Sequence, residues 1–226
     1  MKLRVVEIQQ NILRKNDSIA ARLRDRFAAS GTLVVNLLSS PGSGKTTLLE
    51  ETLRQLAPRY RVGALVGDQA TENDAQRLAR SGAPVRQITT AAECRLDADM
   101  ITTALDGWDV GRLDALFIEN VGNLICPAEY DLGEDLRVVL CSVTEGEDKP
   151  LKYPLAFNTS AIVLITKIDL AAAVGFDRTA LRTAIESVHP GMAVLELSTR
   201  TGDGFAGWID VLGHRMSEKQ AAPTPA

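Results

Sequence analysis

Short apolar segments, separated by polar and glycine-containing stretches, run along the whole chain. They cover residues 33–38, 61–66, 85–89, 113–118, 138–143, 161–165 and 194–197. Several of them are continuously apolar, which is typical of strands buried on both faces of a parallel sheet. The stretches between them carry apolar residues at helical spacing. This alternation predicts an α/β fold, with a mostly parallel central sheet of about seven strands and helices on both faces.

The first 31 residues show apolar positions at helical spacing before the first predicted strand begins. The apolar face contains Val5, Ile8, Ile12, Ile19, Leu23 and Phe27. This pattern predicts an amphipathic helix that stops at Gly31. We expect the helix to cover an edge of the sheet, and we favour this over a role in binding a partner protein.

A glycine-rich loop follows the first predicted strand and precedes a helix-like run. Its residues are Ser39, Ser40, Pro41, Gly42, Ser43, Gly44, Lys45, Thr46 and Thr47. A strand, a glycine-rich loop that ends in Gly-Lys-Thr, and a helix form the context of a phosphate-binding loop, or P-loop. Lys45 then reaches the β- and γ-phosphates as a catalytic residue, and the Thr46 hydroxyl ligates Mg²⁺. Ser39 departs from the motif, because a P-loop usually has its first glycine at this position.

Acidic residues follow two of the other predicted strands. Asp68 comes after the second strand, at the end of the sheet where ligands bind in open α/β folds. Glu119 ends the fourth strand and is a candidate Walker B residue, which holds Mg²⁺ or orients the attacking water. Residues 71–74 resemble a helix capping box, so we interpret Asp74 as a structural residue.

A second nucleotide-recognition element follows the sixth predicted strand. Lys167 and Asp169 form a Lys-x-Asp motif far downstream of the P-loop. In GTPases this aspartate accepts hydrogen bonds from guanine N1–H and the exocyclic amine, a pattern that adenine does not offer. Thr166 stands where asparagine usually precedes the lysine, and we expect a weaker supporting contact there. Ser198 and Thr199 occupy the place of the second base-contacting loop, so the predicted nucleotide is GTP.

Length and composition limit the alternatives. The 226 residues form a single domain that comprises the helix (residues 1–31), a P-loop GTPase domain (32–217) and a disordered tail (218–226). A net charge of −4 argues against a nucleic-acid-binding surface, and no apolar stretch approaches the length of a membrane span. Three cysteines without a signal-peptide segment indicate reduced thiols in the cytoplasm. Cys141 lies within an apolar run, so we interpret it as a small buried side chain.

The motifs together resemble the HypB family, the GTPases of hydrogenase nickel incorporation, from about residue 5 to residue 215. The stretches that carry the resemblance are residues 39–50, 67–68, 93–98, 118–128 and 167–170. The Glu-Asn-Val-Gly-Asn-Leu-Ile-Cys-Pro stretch is very specific, whereas the P-loop and the Lys-x-Asp motif alone indicate only a GTPase. The resemblance implies a GTP-hydrolysing metallochaperone that forms a homodimer around bound GTP. It also implies nickel delivery to the large subunit of [NiFe]-hydrogenase, with a small zinc-binding partner, HypA.

The resemblance also implies roles for individual residues. Asp68 and Glu119 would serve Mg²⁺ and the hydrolysis step, and Cys94 and Cys126 would be ligands of a nickel or zinc site. Arg95 departs from the family, whose members usually carry histidine beside the first of these cysteines. Arginine donates only and stays charged, so it cannot ligate a metal. We find neither the N-terminal cysteine motif nor the His-rich tract that some members carry for nickel storage.

Two alternatives stay open at this point. The sister GTPase of urease maturation, UreG, has its metal ligands in a Cys-Pro-His motif, which does not occur in this sequence. The other alternative is a nucleotide-switched dimeric scaffold, which binds GTP and recruits maturation partners but carries little or no metal of its own. Arg95 supports this second alternative, because it removes a ligand from the expected metal site.

Overall fold

A computed structural model describes residues 2–68, 73–90 and 93–222 of the chain. The strands are β1 Leu33–Ser39, β2 Val62–Asp68, β3 Val85–Thr89, β4 Ala115–Glu119, β5 Leu136–Ser142, β6 Ile162–Thr166 and β7 Ala193–Glu196. The helices are α1 Lys2–Ser30, α2 Lys45–Leu56, α3 Asn73–Ala79, α4 Ala98–Ala104, α5 Lys149–Lys152, α6 Pro154–Asn158, α7 Arg178–Val188 and α8 Phe205–Ala221. Short 3₁₀ helices lie over Val110–Arg112, Cys126–Glu129 and Ile168–Leu170.

The strands form one sheet in the order β3-β2-β4-β1-β5-β6-β7, and every neighbouring pair is parallel. The predicted fold class and the number of strands are confirmed. β1 is the central strand, with β4 on one side and β5 on the other. The chain builds one half of the sheet before it crosses to the second half, so the order reverses beside β1. In open α/β sheets, ligands bind beyond the carboxyl ends of the strands at such a point.

Helices cover both faces of the sheet, and successive strand residues alternate between the faces. On one face, α2 and α8 pack on the strands. On the other face, α1 and α4 cover one half of the sheet, and α6 and α7 cover the other half. Trp208 of α8 is fully buried, and its Nε1–H donates to the Thr52 hydroxyl of α2 at 3.0 Å. This bond satisfies the polar edge of the indole in the centre of the core.

Helix α1 covers a face of the sheet, so the prediction that it covers an edge was wrong. Its residues Ile19, Leu23 and Phe27 are buried in the same apolar cluster as strand residues of β1, β2 and β4. Polar contacts add to this packing, since the buried Asn16 donates to Asp131 O at 2.9 Å and accepts from the backbone N–H of Ala98 at 2.9 Å. The helix is therefore an integral layer of the domain.

The predicted apolar face of α1 does not extend along the whole helix. Ile12 is 49 % exposed, although its spacing assigned it to this face. Val5 and Ile8 lie outside the part of the chain whose side chains are described. Gly31 follows the helix with φ +67°, a conformation that favours glycine and ends the helix at the predicted residue.

The predicted tail begins too early, because α8 continues through residues 218–221. Lys219 forms an ion pair with Asp135, and the Gln220 amide donates to Asp114 at 3.2 Å. These partners lie at the amino ends of β5 and β4, so they attach the last turn of the helix to the sheet. Residues 223–226 of the predicted tail lie outside the described residues. None of the described helices is both long enough and apolar enough to cross a membrane.

Candidate functional site

The glycine-rich loop borders a cavity of about 550 Å³ at the carboxyl end of β1. The lining residues are Ser39, Ser40, Pro41, Gly42, Ser43, Gly44, Lys45, Thr46, Thr47, Gly67, Asp68, Asp74, Arg77, Glu119, Val121, Gly122 and Lys167. Gly42 and Gly44 have φ values of +77° and +93°, which side chains other than glycine rarely adopt. Gly44 directly precedes α2, so the unpaired N–H groups of the helix start face an anion-binding position. We call this space the phosphate cavity.

Ser39 fits the loop without the glycine that the motif usually has. It is the last residue of β1, is buried, and pairs with Asn123 in an isolated antiparallel bridge. Its hydroxyl donates to Ser40 O at 2.9 Å. Because this position has strand conformation, it needs no residue with a positive φ.

Glu145 and Lys149 support the P-loop through hydrogen bonds that were not predicted from the sequence, and we call these two residues the brace. The Ser43 hydroxyl donates to the Glu145 carboxylate at 3.0 Å, and the backbone N–H of Ser142 donates to the same carboxylate at 2.9 Å. Lys149 donates to the Ser40 hydroxyl at 2.5 Å and lies 3.3 Å from Glu145. Glu145 and Lys149 belong to the charged segment that follows β5. In the structure they fix two serines of the loop.

Glu119 is buried at the end of β4, with only 2 % of its surface exposed. Its Oε1 accepts from the Thr46 hydroxyl at 2.6 Å and lies 3.6 Å from the Lys45 ammonium. Burial raises the pKa of the Glu119 carboxyl, and the charge of Lys45 opposes this shift. Within the described residues, its Oε2 has no hydrogen-bond partner. A buried oxygen without a partner is costly, which is consistent with a ligand or water network that completes the site.

The oxygen groups beside Glu119 fit Mg²⁺. Val66 of β2 pairs with Glu119 of β4, so Asp68 lies two residues further on the neighbouring strand and lines the same cavity. A hydroxyl and two carboxylates are the oxygen donors that Mg²⁺ prefers. Asp74 also lines the cavity, from the first turn of α3. The cap expected from residues 71–74 is not tested, since residues 71 and 72 lie outside the described residues.

A second cavity of about 230 Å³ adjoins the phosphate cavity. The two cavities share Ser43, Gly44, Thr47 and Lys167. The remaining lining residues are Thr166, Asp169, Leu170, Ser198, Thr199 and Arg200. The structure therefore brings the P-loop, the Lys-x-Asp motif and the loop of Ser198 and Thr199 into one continuous site. We call the second space the base cavity.

The segment after β6 is tied directly to the P-loop. Lys167 has φ +58°, and its ammonium donates to Gly42 O at 2.6 Å. The Thr166 hydroxyl donates to Ser43 O at 2.7 Å, so threonine makes a supporting contact at the position where we expected a weaker one. Asp169 accepts from the hydroxyl of the buried Ser198 at 2.6 Å. This bond orients the carboxylate at the edge of the base cavity.

Cys94 and Cys126 meet in the structure although 32 positions separate them, and their sulfur atoms lie 2.6 Å apart. Asn123 joins the two segments, because its Nδ2 donates to Cys94 O at 3.3 Å. The contact with Cys126 raises the pKa of the Cys94 thiol. In the described part of the chain, no three residues among His, Cys, Asp and Glu form a group that could hold a metal. One chain therefore brings these two sulfur atoms together at this point.

Arg95, which follows Cys94, contacts an aromatic ring and a carboxylate. Its guanidinium lies 4.0 Å from the centre of the Tyr130 ring, and its Nη1 donates to Glu93 at 2.6 Å. Cys141 lies apart from this pair in β5, where burial raises the pKa of its thiol to about 12. Cys141 thus has the environment of an unreactive core residue, as predicted.

A parallel sheet with a P-loop after its central strand, a buried acid on the neighbouring strand and a joined base cavity defines a P-loop nucleotide-binding protein. The model of the CobW/HypB/UreG nucleotide-binding domain matches residues 10–196 of the chain. The chain belongs to the HypB hydrogenase maturation factors of this family.

Individual relatives support this assignment. The hydrogenase maturation factor HypB of Escherichia coli K12 is 45 % identical over 209 residues, which cover 92 % of this chain and 72 % of that protein. The crystal structure of HypB from Archaeoglobus fulgidus aligns with a TM-score of 0.84 at 40 % identity, over 90 % of this chain and 100 % of that one. HypB from Helicobacter pylori, solved in complex with nickel, aligns with a TM-score of 0.86 at 35 % identity, over 94 % and 100 % of the two chains.

Proposed function

We propose that this protein is a GTP-hydrolysing metallochaperone that helps insert nickel into [NiFe]-hydrogenase during its maturation. One observation carries the proposal. The nucleotide site and the cysteine pair are joined by a single segment, which starts at Glu119 in the phosphate cavity and ends at Cys126. The family membership and the names of the relatives agree with it.

The nucleotide site has the groups that GTP hydrolysis requires. Lys45 and the amides at the start of α2 bind the phosphates, and Asp169 selects guanine. Mg²⁺, when bound, neutralises charge on the β- and γ-phosphate oxygens. Thr46, Asp68 and Glu119 are the residues that would hold it. Phosphoryl transfer depends mainly on positioning and charge stabilisation, so Asp68 and Glu119 also serve to align the attacking water.

Nickel or zinc is the cargo in this proposal, and Cys94 and Cys126 are its ligands. Each chain contributes two sulfur atoms, so two chains together supply a four-sulfur shell, tetrahedral for zinc or planar for nickel. The relative from Helicobacter pylori was solved in complex with nickel. Arg95 packs on Tyr130 in place of an imidazole ligand, and we expect weaker metal binding than in relatives that have histidine there.

The GTP-dependent homodimer that the family resemblance implies would supply the second pair of thiolates. Ile125, beside Cys126, is 62 % exposed, which agrees with an apolar contact close to the shared metal. A HypA-like zinc-binding protein and the hydrogenase large subunit are the further partners. We expect the protein to act in the cytoplasm, where these thiols stay reduced. Neither nucleic acid nor a membrane has a part in this function.

The alternatives are less well supported. The relatives from Escherichia coli and Archaeoglobus fulgidus are named as hydrogenase maturation factors, which favours this role over a urease-type nickel GTPase. A scaffold without metal gives no reason for two cysteines from distant parts of the chain to meet beside the nucleotide site.

Metal titration of the purified protein, with and without a non-hydrolysable GTP analogue, tests the proposal. We expect one Zn²⁺ or Ni²⁺ per dimer, and loss of this binding in Cys94→Ser and in Cys126→Ser. Cys141→Ala is the matched control, because it removes a buried thiol of β5 that is not one of the pair, and it should keep the metal. If Cys126→Ser binds metal with unchanged stoichiometry, the site does not exist, and the scaffold becomes the better explanation.

A further inference from the structure

Arg77 of α3 lies in the wall of the phosphate cavity, and neither the sequence motifs nor the proposed function gives it a role. Its Nε donates to Glu50 at 2.8 Å, and its Nη2 donates to the Thr47 hydroxyl at 2.9 Å. Both partners belong to α2, the helix that begins with the P-loop lysine. These two bonds hold the half-buried guanidinium beside the loop. Among the described residues that line the cavity, Arg77 carries the only guanidinium.

The position of Thr47 indicates which part of the nucleotide lies beside Arg77. It lines both the phosphate cavity and the base cavity. In a P-loop site, the backbone amides bind the α- and β-phosphates, and the lysine reaches the β- and γ-phosphates. Since the base lies toward Asp169, the phosphates closest to the ribose lie next to Thr47. A guanidinium at this position can bind phosphate oxygens through paired, charge-assisted hydrogen bonds.

We propose that Arg77 is a phosphate-binding residue that contacts the α- or β-phosphate of the bound nucleotide and is held in position by Glu50. This inference rests on the proposed guanine-nucleotide binding and extends it to a residue of α3. The charges of the cavity support it. Among the described residues of the lining, three carboxylates (Asp68, Asp74 and Glu119) face three cations (Lys45, Arg77 and Lys167). Loss of Arg77 would leave a negative surface against an anionic ligand.

A purely structural role is the competing explanation. The ion pair between Arg77 and Glu50 connects α2 to α3, and such a pair could simply fasten the two helices. Partly exposed ion pairs add little to stability, so this role predicts a small effect on nucleotide affinity. Glu50→Gln separates the two roles, because it removes the ion pair and leaves the guanidinium in the cavity wall.

The experiment measures the dissociation constants of GDP and of a non-hydrolysable GTP analogue in the presence of Mg²⁺. Arg77→Ala should weaken both by the same factor, about tenfold to a hundredfold, because the α- and β-phosphates are common to both ligands. Arg77→Lys should restore part of this affinity, and Glu50→Gln should lose less than Arg77→Ala. Arg80→Ala, which changes an exposed arginine just after α3, is the matched control and should bind like wild type. Thermal melting of each variant confirms that it is folded.

Three results would overturn the inference. GDP affinity of Arg77→Ala that equals wild type would exclude the contact. If Glu50→Gln loses as much nucleotide affinity as Arg77→Ala, the ion pair between α2 and α3 explains the effect without a phosphate contact. If only the affinity for the GTP analogue falls, Arg77 does not contact the α- or β-phosphate. If wild type binds neither nucleotide, the proposed function fails together with the inference. If wild type binds both nucleotides and Arg77→Ala binds them with wild-type affinity, the inference fails but the proposed function stands.

Discussion

Replacement of Asp169 by asparagine should change the base that this site selects. The Asp169 carboxylate lies at the edge of the base cavity, where the Ser198 hydroxyl donates to it at 2.6 Å. Guanine offers two donors to such a carboxylate, N1–H and the exocyclic amine. Adenine offers neither in this pattern, so most of the preference for GTP over ATP should come from this one side chain.

The size of the effect follows from two hydrogen bonds to a charged group. Each contributes about 1.5–3 kcal/mol, so the pair contributes about 3–6 kcal/mol. At about 1.4 kcal/mol for each factor of ten, this corresponds to a preference of about 10²–10⁴. We expect a value on the order of 10³ or more, because a site built to bond a polar group strongly rejects a ligand that lacks it. Asp169→Asn should lose GTP affinity by a similar factor and gain affinity for xanthosine triphosphate, whose 2-oxo group needs a donor.

The assay measures dissociation constants for GTP, ATP and xanthosine triphosphate with wild type and Asp169→Asn. Asp210→Asn, an exposed change of the same kind on α8, is the control for general effects. Ser198→Ala adds a finer test, since it removes one hydrogen bond that orients the Asp169 carboxylate. It should weaken GTP binding about tenfold without increasing the affinity for xanthosine triphosphate. Equal binding of ATP and GTP by wild type would refute guanine recognition, and unchanged GTP affinity in Asp169→Asn would refute the role of this carboxylate.

Further predictions concern hydrolysis, stability, assembly and metal. Lys45→Ala should abolish GTP hydrolysis and most triphosphate affinity, and undiminished turnover would contradict the P-loop assignment. Glu119→Gln should abolish hydrolysis but stabilise the nucleotide-free protein. Burial raises the pKa of Glu119 above its ordinary value of 4.5, so wild type loses stability as the pH rises from that value through the folded-state pKa. The melting temperatures of wild type and Glu119→Gln should converge as the pH is lowered through this range. A difference in melting temperature that stays constant with pH would exclude the buried charge as the cause. Light scattering should show mostly monomer without nucleotide and dimer with a GTP analogue and Mg²⁺, and one constant mass would contradict this. Arg95→His should tighten Ni²⁺ or Zn²⁺ binding, and unchanged affinity would mean that this side chain does not reach the metal.

The sheet and the nucleotide motifs could be predicted because their signals are local. Strands buried on both faces appear as continuous apolar runs, and a P-loop requires its glycines and lysine at neighbouring positions. The joined base cavity was predictable for the same reason, since Lys167 and Asp169 form a short motif. Such patterns need no knowledge of which distant segments meet.

The contacts that were missed depend on distant segments. Lys149 and Ser40 are 109 positions apart, and only the pairing of β1 with β5 brings the brace to the loop. Arg77 resembled any other charge on an amphipathic helix, because its partners lie on α2. The last turn of α8 has the polar composition of a disordered tail, and its contacts with residues beside the sheet stabilise it as a helix. The spacing of Cys94 and Cys126 likewise gave no indication that they meet, and only the family resemblance predicted a shared site.

The segment from Glu119 to Cys126 connects the two halves of the proposed function physically. A Cβ on Gly122 would lie 3.3 Å from Pro41, so the segment and the P-loop are in close contact. Asn123 pairs with Ser39 and donates to Cys94 O, which places one residue between the loop and the cysteine pair. A change in the shape of the loop on phosphate binding must therefore be accommodated by a segment that ends at a proposed metal ligand. By linkage, whatever factor the nucleotide imposes on metal affinity, the metal imposes on nucleotide affinity, so both titrations should report the same coupling free energy.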